Sequence, residues 1–242
     1  MRQAILLGMA AAAMASSGCA RERTESAGPA TNRDFQIAGF ERIEVGGLYD
    51  VSVTTGGAPS VRASGGERAI ERMVVEVVNG TLRIYTKNRA GMSFGWSDGR
   101  HPVKVAVTVP RLTAAEIAGS GTISIDKVAG DSFDAGVAGS GELRLGQVEV
   151  KRLKAGIAGS GGINAGQGRA GVADYEIAGS GDIRAGSLVA EVASVSIAGS
   201  GEVTANATAT ARVDIAGSGD VRLSGGAKCT VSKAGSGDVY CS

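Results

Sequence analysis

Residues 177–183 read "IAGSGDI", and the phrase "AGSG" inside them recurs with its alanine at Ala118, Ala138, Ala158, Ala178, Ala198, Ala216 and Ala234. The steps are therefore 20, 20, 20, 20, 18 and 18 residues. A fixed period of this size marks a solenoid, in which each repeat is one rung that buries its apolar side only by stacking on its neighbours. A leucine-rich horseshoe needs a leucine-dense frame and often a helical stretch. These rungs are rich in Gly, Val and Ile and carry no 3.6-residue periodicity. The expected fold is all-β, a parallel β-helix of rungs about 20 residues long.

Alternation within a rung agrees. Five places after the motif alanine stand Ile123, Leu143, Ile163, Ile183, Val203, Val221 and Val239, and one place before it stand Val137, Ile157, Ile177 and Ile197. Seven places after it come Ile125, Leu145, Ala165, Ala185, Ala205, Leu223 and Cys241. These odd offsets share one side of an extended chain. Between them lie the mostly polar Ser124, Arg144, Asn164, Arg184, Thr204, Arg222 and Tyr240. The motif glycines are Gly119 and Gly121, Gly139 and Gly141, Gly159 and Gly161, Gly179 and Gly181, Gly199 and Gly201, Gly217 and Gly219, and Gly235 and Gly237. Glycine inside regular structure costs roughly 0.5–1 kcal/mol relative to alanine. Two per rung therefore point to a structural need at a bend or close approach, and the serines between them form a column. Seven clear rungs make six steps, a regular part ~29 Å long at ~4.8 Å per step.

The chain has 242 residues, 43% of them hydrophobic but only 4% aromatic, enough for a thin aliphatic core like the lumen of a narrow coil. With 25 basic and 24 acidic residues the net charge is +1, without the concentrated basic surface that nucleic acid requires.

Residues 1–18 carry a basic start at Arg2, the short apolar run "AILLGMAAAAMA" and small residues leading up to Cys19. The run is too short for a bilayer span and has the form of an export signal. "SGC" resembles the bacterial lipoprotein processing site, with Cys19 as the lipidated residue; Ser16 stands where Leu is commonest, and simple cleavage near Ala15 or Ala20 is the alternative. Ala20 after the cysteine resembles the pattern that directs lipoproteins to the outer membrane of a Gram-negative host. Residues 19–33, polar and charged around Pro29, read as a tether, and 34–242 as one domain with an irregular part to 112 and regular rungs from 113.

The two remaining cysteines, Cys229 and Cys241, are expected to form a disulfide in an exported protein. Closing a loop of this size contributes about 3 kcal/mol by the chain-entropy model, and it falls where the last rung needs a cap. Two thiols and one distant histidine do not make a zinc site.

In the irregular part, "EVGGLYDVSV" at 44–53 matches "EIAGSGTISI" at 116–125 without a gap and reads as a degenerate rung acting as the N-terminal cap. "VEVVNGTLRIYT" at 75–86 alternates about Asn79-Gly80, a type I′ hairpin signal. "PVKVAVTVP" at 102–110 reads as a strand, and "ERAIERMVV" at 67–75 as a helical turn. The phrases "FERIEVGGLYDVSVTTG", "VEVVNGTLRIYT" and "VTVPRL" and the train of "GSG" rungs together resemble the putative auto-transporter adhesin, head GIN domain family over roughly residues 38–242. The resemblance implies a β-helical, exported, often lipid-anchored envelope protein, and it supplies no catalytic residues.

Candidate chemistry is sparse. The position after each motif reads Thr122, Glu142, Gly162, Asp182, Glu202, Asp220 and Asp238. Calcium-binding β-rolls carry an Asp in every nonapeptide turn, whereas here the period is twice as long and two of the seven positions lack a carboxylate. A solvated turn is expected, with Arg184 and Arg222 relieving repulsion along the column, and no metal. His101, the single histidine, lacks a nucleophile partner, and "GSG" lacks the Lys-Ser/Thr ending of a phosphate loop. No catalytic residue and no cofactor is expected. The stretch 88–101, "NRAGMSFGWSDGRH", departs most from regularity: Met92, Phe94, Trp96, Arg100 and His101 form a possible ligand loop, since exposed aromatics stack on sugars or enter partners, or else they cover a flank of the coil. The expected function is a non-enzymatic envelope protein for adhesion or scaffolding. Its expected partners are the outer membrane through a lipid anchor and an envelope protein or glycan; no nucleic acid is expected, and oligomers are open. The alternative is a glycan-binding or glycan-active β-helix using the 88–101 loop.

Overall fold

The computed structural model describes residues 28–37, 39–87 and 103–242. Its centre is a right stack of long, bent strands: β9 (Thr122–Gly139), β10 (Glu142–Gly159), β11 (Gly162–Gly179), β12 (Asp182–Gly199) and β13 (Glu202–Gly217). Each pairs in parallel with the next, one period apart, so that Leu143 lies beside Ile163 and Ile157 beside Ile177. This is the parallel β-solenoid that the spacing predicts.

The 20-residue rungs β9 to β12 turn three corners each. In β10 the buried positions are Leu143 and Leu145, then Val148 and Val150, then Leu153, Ala155 and Ile157. The inward parity changes twice, from odd to even and back, because the two corners other than the glycine corner each consume an extra residue. Offsets 5 and 19 thus both point inward, but from two flats separated by the glycine corner rather than from one extended face. Stacked columns of branched aliphatics fill the lumen, each side chain contributing roughly 1.5–3 kcal/mol when taken fully from water.

Rung β11 shows how that lumen is kept full. Its inward positions are small, Ala165, Gly168, Ala170 and Ala173 where β10 has Leu145, Val148, Val150 and Leu153. The same rung places the bulk of Tyr175 inside, between Ala155 and Val195, and leaves it 1% exposed. The Tyr175 hydroxyl makes no hydrogen bond within the chain, and burial pushes its pKa far above the ordinary phenol value.

The irregular front continues the stack. β2 (Arg42–Gly47) and β3 (Asp50–Thr55) pair in parallel with β8 (Ala114–Gly119) and the start of β9, Glu44 beside Glu116 and Val51 beside Ile123, the gapless alignment of the sequence. This degenerate rung is not the cap itself. A further rung lies outside it: β6 (Thr81–Thr86) pairs with β2, and β7 (Lys104–Val109) with β3, both parallel. The outer edges are then closed by antiparallel strands, β5 (Met73–Val78) on β6, β4 (Ser60–Gly66) on β7, and β1 (Ala30–Phe35) on β4. The β5–β6 turn has positive φ at both Asn79 (51°) and Gly80 (74°), as a type I′ hairpin requires. The helical turn α1 (Glu67–Arg72) runs from β4 to β5 and buries Ile70 against the end of the core, followed by buried Met73. β1 begins at Ala30, so the edge strand takes in the last part of the stretch read as a tether.

At the other end β14 (Asp220–Ser224), β15 (Lys228–Gly235) and β16 (Val239–Cys241) complete the stack with less and less cover. Lys233 stands in the column of Ile157, Ile177, Ile197 and Ile215, and its ammonium donates to the Gly237 carbonyl at 2.6 Å. Cys229 and Cys241, the inward positions of the last turn, form the disulfide expected of them.

Candidate functional site

The repeated corner is scaffold. The first glycine of each pair has φ between +122° and +138°, a region costly for residues with a Cβ. The second lies on the inward side, and a Cβ at Gly181 would come within 2.5 Å of the Gly161 carbonyl oxygen and 2.7 Å of Ile157. The corner also carries the stack's hydrogen bonds: Ser160 N donates to Gly139 O and Ser180 N to Gly159 O, both at 2.9 Å. The serine side chains face solvent in a column. At the degenerate rung the second glycine is replaced by Tyr49, buried, with its hydroxyl 2.5 Å from Thr86 Oγ1.

The carboxylate column is engaged by its arginines. Arg144 pairs with Glu142, Arg184 with Asp182 at 2.8 Å, and Arg222 with Glu202 one rung back. Asp220 accepts from the Asp238 backbone N–H at 2.8 Å. On the flat leading into the motif Arg212 pairs with Asp214 at 2.7 Å and Lys154 with Glu176 at 3.3 Å. All are solvent-exposed, and each adds little to stability. Among the described residues no charged group is buried, and the buried titratable groups are the Tyr49 and Tyr175 phenols.

Two surface depressions stand out. One, of about 620 Å³, crosses successive rungs along the corner opposite the glycines and is bordered by Glu149, Lys151, Arg169, Val189 and Glu191 over Gly171. The other, of about 530 Å³, lies at the N-terminal end between Phe40, Pro59, Asn79 and Pro110. The sequence reading missed the first. The change of period from 20 to 18 does not mark it, because β13 lacks counterparts to residues 186–188 at the preceding corner and carries one residue more at this one.

Of the expected site residues, the structure brings Cys229 and Cys241 together and places all fourteen motif glycines in the corner. Cys19 and the loop residues Met92, Phe94, Trp96, Arg100 and His101 lie outside the described residues. β6 and β7, the described strands on either side of residues 88–102, pair with β2 and β3. Leu48, between β2 and β3, and Tyr85, in β6, are exposed.

The family model for "Putative auto-transporter adhesin, head GIN domain" matches residues 39–227. The chain belongs to this family. Among solved structures, a putative adhesin from Bacteroides fragilis superposes with a TM-score of 0.78 at 23% identity, covering 88% of this chain and 97% of its own. A putative lipid binding protein from Parabacteroides distasonis gives 0.70 at 26% identity, covering 89% and 97%. A putative adhesin from Parabacteroides merdae gives 0.69 at 20%, covering 89% and 97%. No curated protein matches the chain. The head GIN domain is described as an adhesin, not as an enzyme, and no helix among its described residues is long and apolar enough to cross a membrane.

Proposed function

We propose that this head GIN domain protein is a non-enzymatic, exported envelope protein, anchored through lipidated Cys19 to the outer membrane, whose rigid solenoid serves adhesion or scaffolding. The observation that carries the reading is the filled apolar lumen with its polar groups on the outside in regular columns. Such a body is stiff and displays surface, and it devotes no interior space to a ligand. Gly28 lies against α1 at the capped end, where a Cβ on it would stand 3.5 Å from the Arg68 backbone nitrogen. A lipid on Cys19 would therefore hold the capped end near the membrane and point the disulfide end away.

Fractionation of cells producing wild type and Cys19→Ser tests the anchor: the wild type goes with the membrane fraction and the variant leaves it. Equal partitioning of the two removes the anchor from the proposal. Adhesion of cells bearing the protein to host or bacterial surfaces, lost on its deletion, tests the role.

A second reading has one observation in its favour. Residues 88–101 join β6 to β7, and Leu48 and Tyr85 on the adjoining described chain are exposed, which suits a protein or glycan contact made by Trp96. Trp96→Ala would then abolish adhesion while leaving thermal unfolding unchanged.

A further inference from the structure

We infer that β5 is a docking edge for an extended segment of another protein, one that alternates branched aliphatic residues with polar ones and carries a lysine or arginine opposite Glu76. The inference goes beyond the adhesion reading, because the edge and its test do not depend on what the solenoid adheres to.

Four strands have a neighbour on one side only among the described residues: β1, β5, β15 and β16. Such an edge presents a row of unused N–H and C=O groups, and sheets blunt it with charge, with lysine or with brevity. Three of the four are blunted in this way. β1 carries Arg33 and Asp34 and is exposed along most of its length. β15 has Lys228 and Lys233, and β16 is three residues long and tied by the disulfide. β5 has neither lysine nor brevity. It reads "MVVEVV", with Glu76 its one charge and Val78 its one exposed residue.

The hairpin fixes which of its backbone groups are free. About the two-residue turn the register sets Val78 beside Thr81, Glu76 beside Arg83 and Val74 beside Tyr85, and these are the pairs that exchange hydrogen bonds. The bond from Lys87 N to Arg72 O, at 3.0 Å, falls in the same phase. The N–H and C=O groups of Val75 and Val77 therefore point away from β6, toward the open side. Their side chains stand beside the fully buried Ile84 and Leu82 on the lumen face, yet are themselves covered only in part. A strand added along β5 takes up those backbone groups and completes that cover. In this mode main-chain bonds supply affinity and alternate side chains supply choice.

Glu76 sets the charge of the partner. It lies on the outer face, where its carboxylate accepts from the Tyr85 hydroxyl at 3.0 Å. Beside it Arg83 is held by Glu44 at 2.8 Å, so the ladder runs Glu76, Arg83, Glu44 with alternating sign. A cation on the next strand continues that alternation, and opposite charges facing one another across strands stabilise a sheet. A second β5 supplies none. Opposite residues share a face of the sheet, so antiparallel pairing of two copies sets Glu76 against a second Glu76 or against a valine.

The test is a fluorescence anisotropy titration of the full chain with a labelled peptide of sequence TVTVKVTV and with its counterpart carrying glutamate in place of the lysine. The lysine peptide is expected to bind, and the glutamate peptide about five-fold or more weakly. Glu76→Lys, on the outer face, keeps the fold and reverses that order. Val75→Pro removes an N–H that β6 does not use, a substitution edge strands tolerate, and is expected to weaken the lysine peptide about ten-fold while thermal unfolding stays cooperative. No binding of either peptide at millimolar concentration overturns the inference, as does an order of affinity that Glu76→Lys leaves unchanged. Self-association of the wild type that Val75→Pro abolishes would give the edge to a second copy, and binding seen only after deletion of residues 88–101 would give it to the chain itself; either result overturns the inference as well.

Discussion

At one end of the solenoid Ile70 and Met73 close the lumen under a helical turn and antiparallel strands. At the other, a disulfide and Lys233 cover it, while Val231 and Tyr240 stand 46% and 59% exposed. Both ends must hide the last apolar layer. The N-terminal end does so by packing, at the cost of some eighty residues of irregular chain between Ala30 and Val109. The C-terminal end does so with one covalent bond inside a single turn. Burial by packing is cooperative with the stack beneath it, whereas a cross-link pins only the turn it closes. Damage to the two ends should accordingly spread over different distances.

The largest effect belongs to neither end. Gly181→Ala, in the middle of the stack, sets a methyl against Gly161 O and Ile157. It is expected to cost about 3 kcal/mol or more by urea unfolding, at the top of the range for single substitutions. Gly237→Ala, in the last corner, should cost far less because that turn can move away. Equal costs would mean that the end is as constrained as the middle. Next is Ile70→Ala, expected to lose about 2–5 kcal/mol as a core truncation and to raise hydrogen exchange through β2 and β3 as well as in the cap. Cys241→Ser should reduce stability by up to about 3 kcal/mol, with faster exchange confined to β15 and β16. Exchange spreading to β12 would contradict the contrast drawn between the ends.

The smallest effect lies in the interior. Tyr175→Phe removes a buried hydroxyl that has no partner, so it should be neutral or stabilising by about 1 kcal/mol at pH 7. The pH dependence has a definite sign. The folded state holds the Tyr175 phenol neutral with its pKa raised, while the unfolded chain titrates near the ordinary value of 10.0. Stability from this group is complete below that value and declines as pH rises above it. Wild type should lose stability between pH 10 and 11 by more than Tyr175→Phe does, as paired urea titrations would reveal.

Much of this was legible in the chain. The motif spacing gave period, register and the inward columns, because parallel stacking forces identical residues beside one another. The match of 44–53 to 116–125 revealed a degenerate rung, and Asn79-Gly80 a hairpin, since both depend on local geometry that residue types record. The back-step that places β6 and β7 outside β2 and β3 was not legible, because which edge a strand joins is settled by tertiary packing. Nor was the strand at Ala30–Phe35, whose polar residues lie on an exposed edge and carry no alternation strong enough to mark it. The change of period announced that β13 is short, yet it did not say which corner lost the residues. The register locates the loss at the corner of residues 186–188.

The account stands or falls on rungs stacked in parallel, one period per step. Spin labels paired between Ser120 and each of Ser180, Ser218 and Ser236 in turn measure this directly, since these serines stand three, five and six steps apart along one exposed column. Distances rising in proportion, ~14, ~24 and ~29 Å between backbone positions at ~4.8 Å per step, are the expected result. Distances that fail to increase along the series, as hairpins folded back on themselves would give, would contradict it.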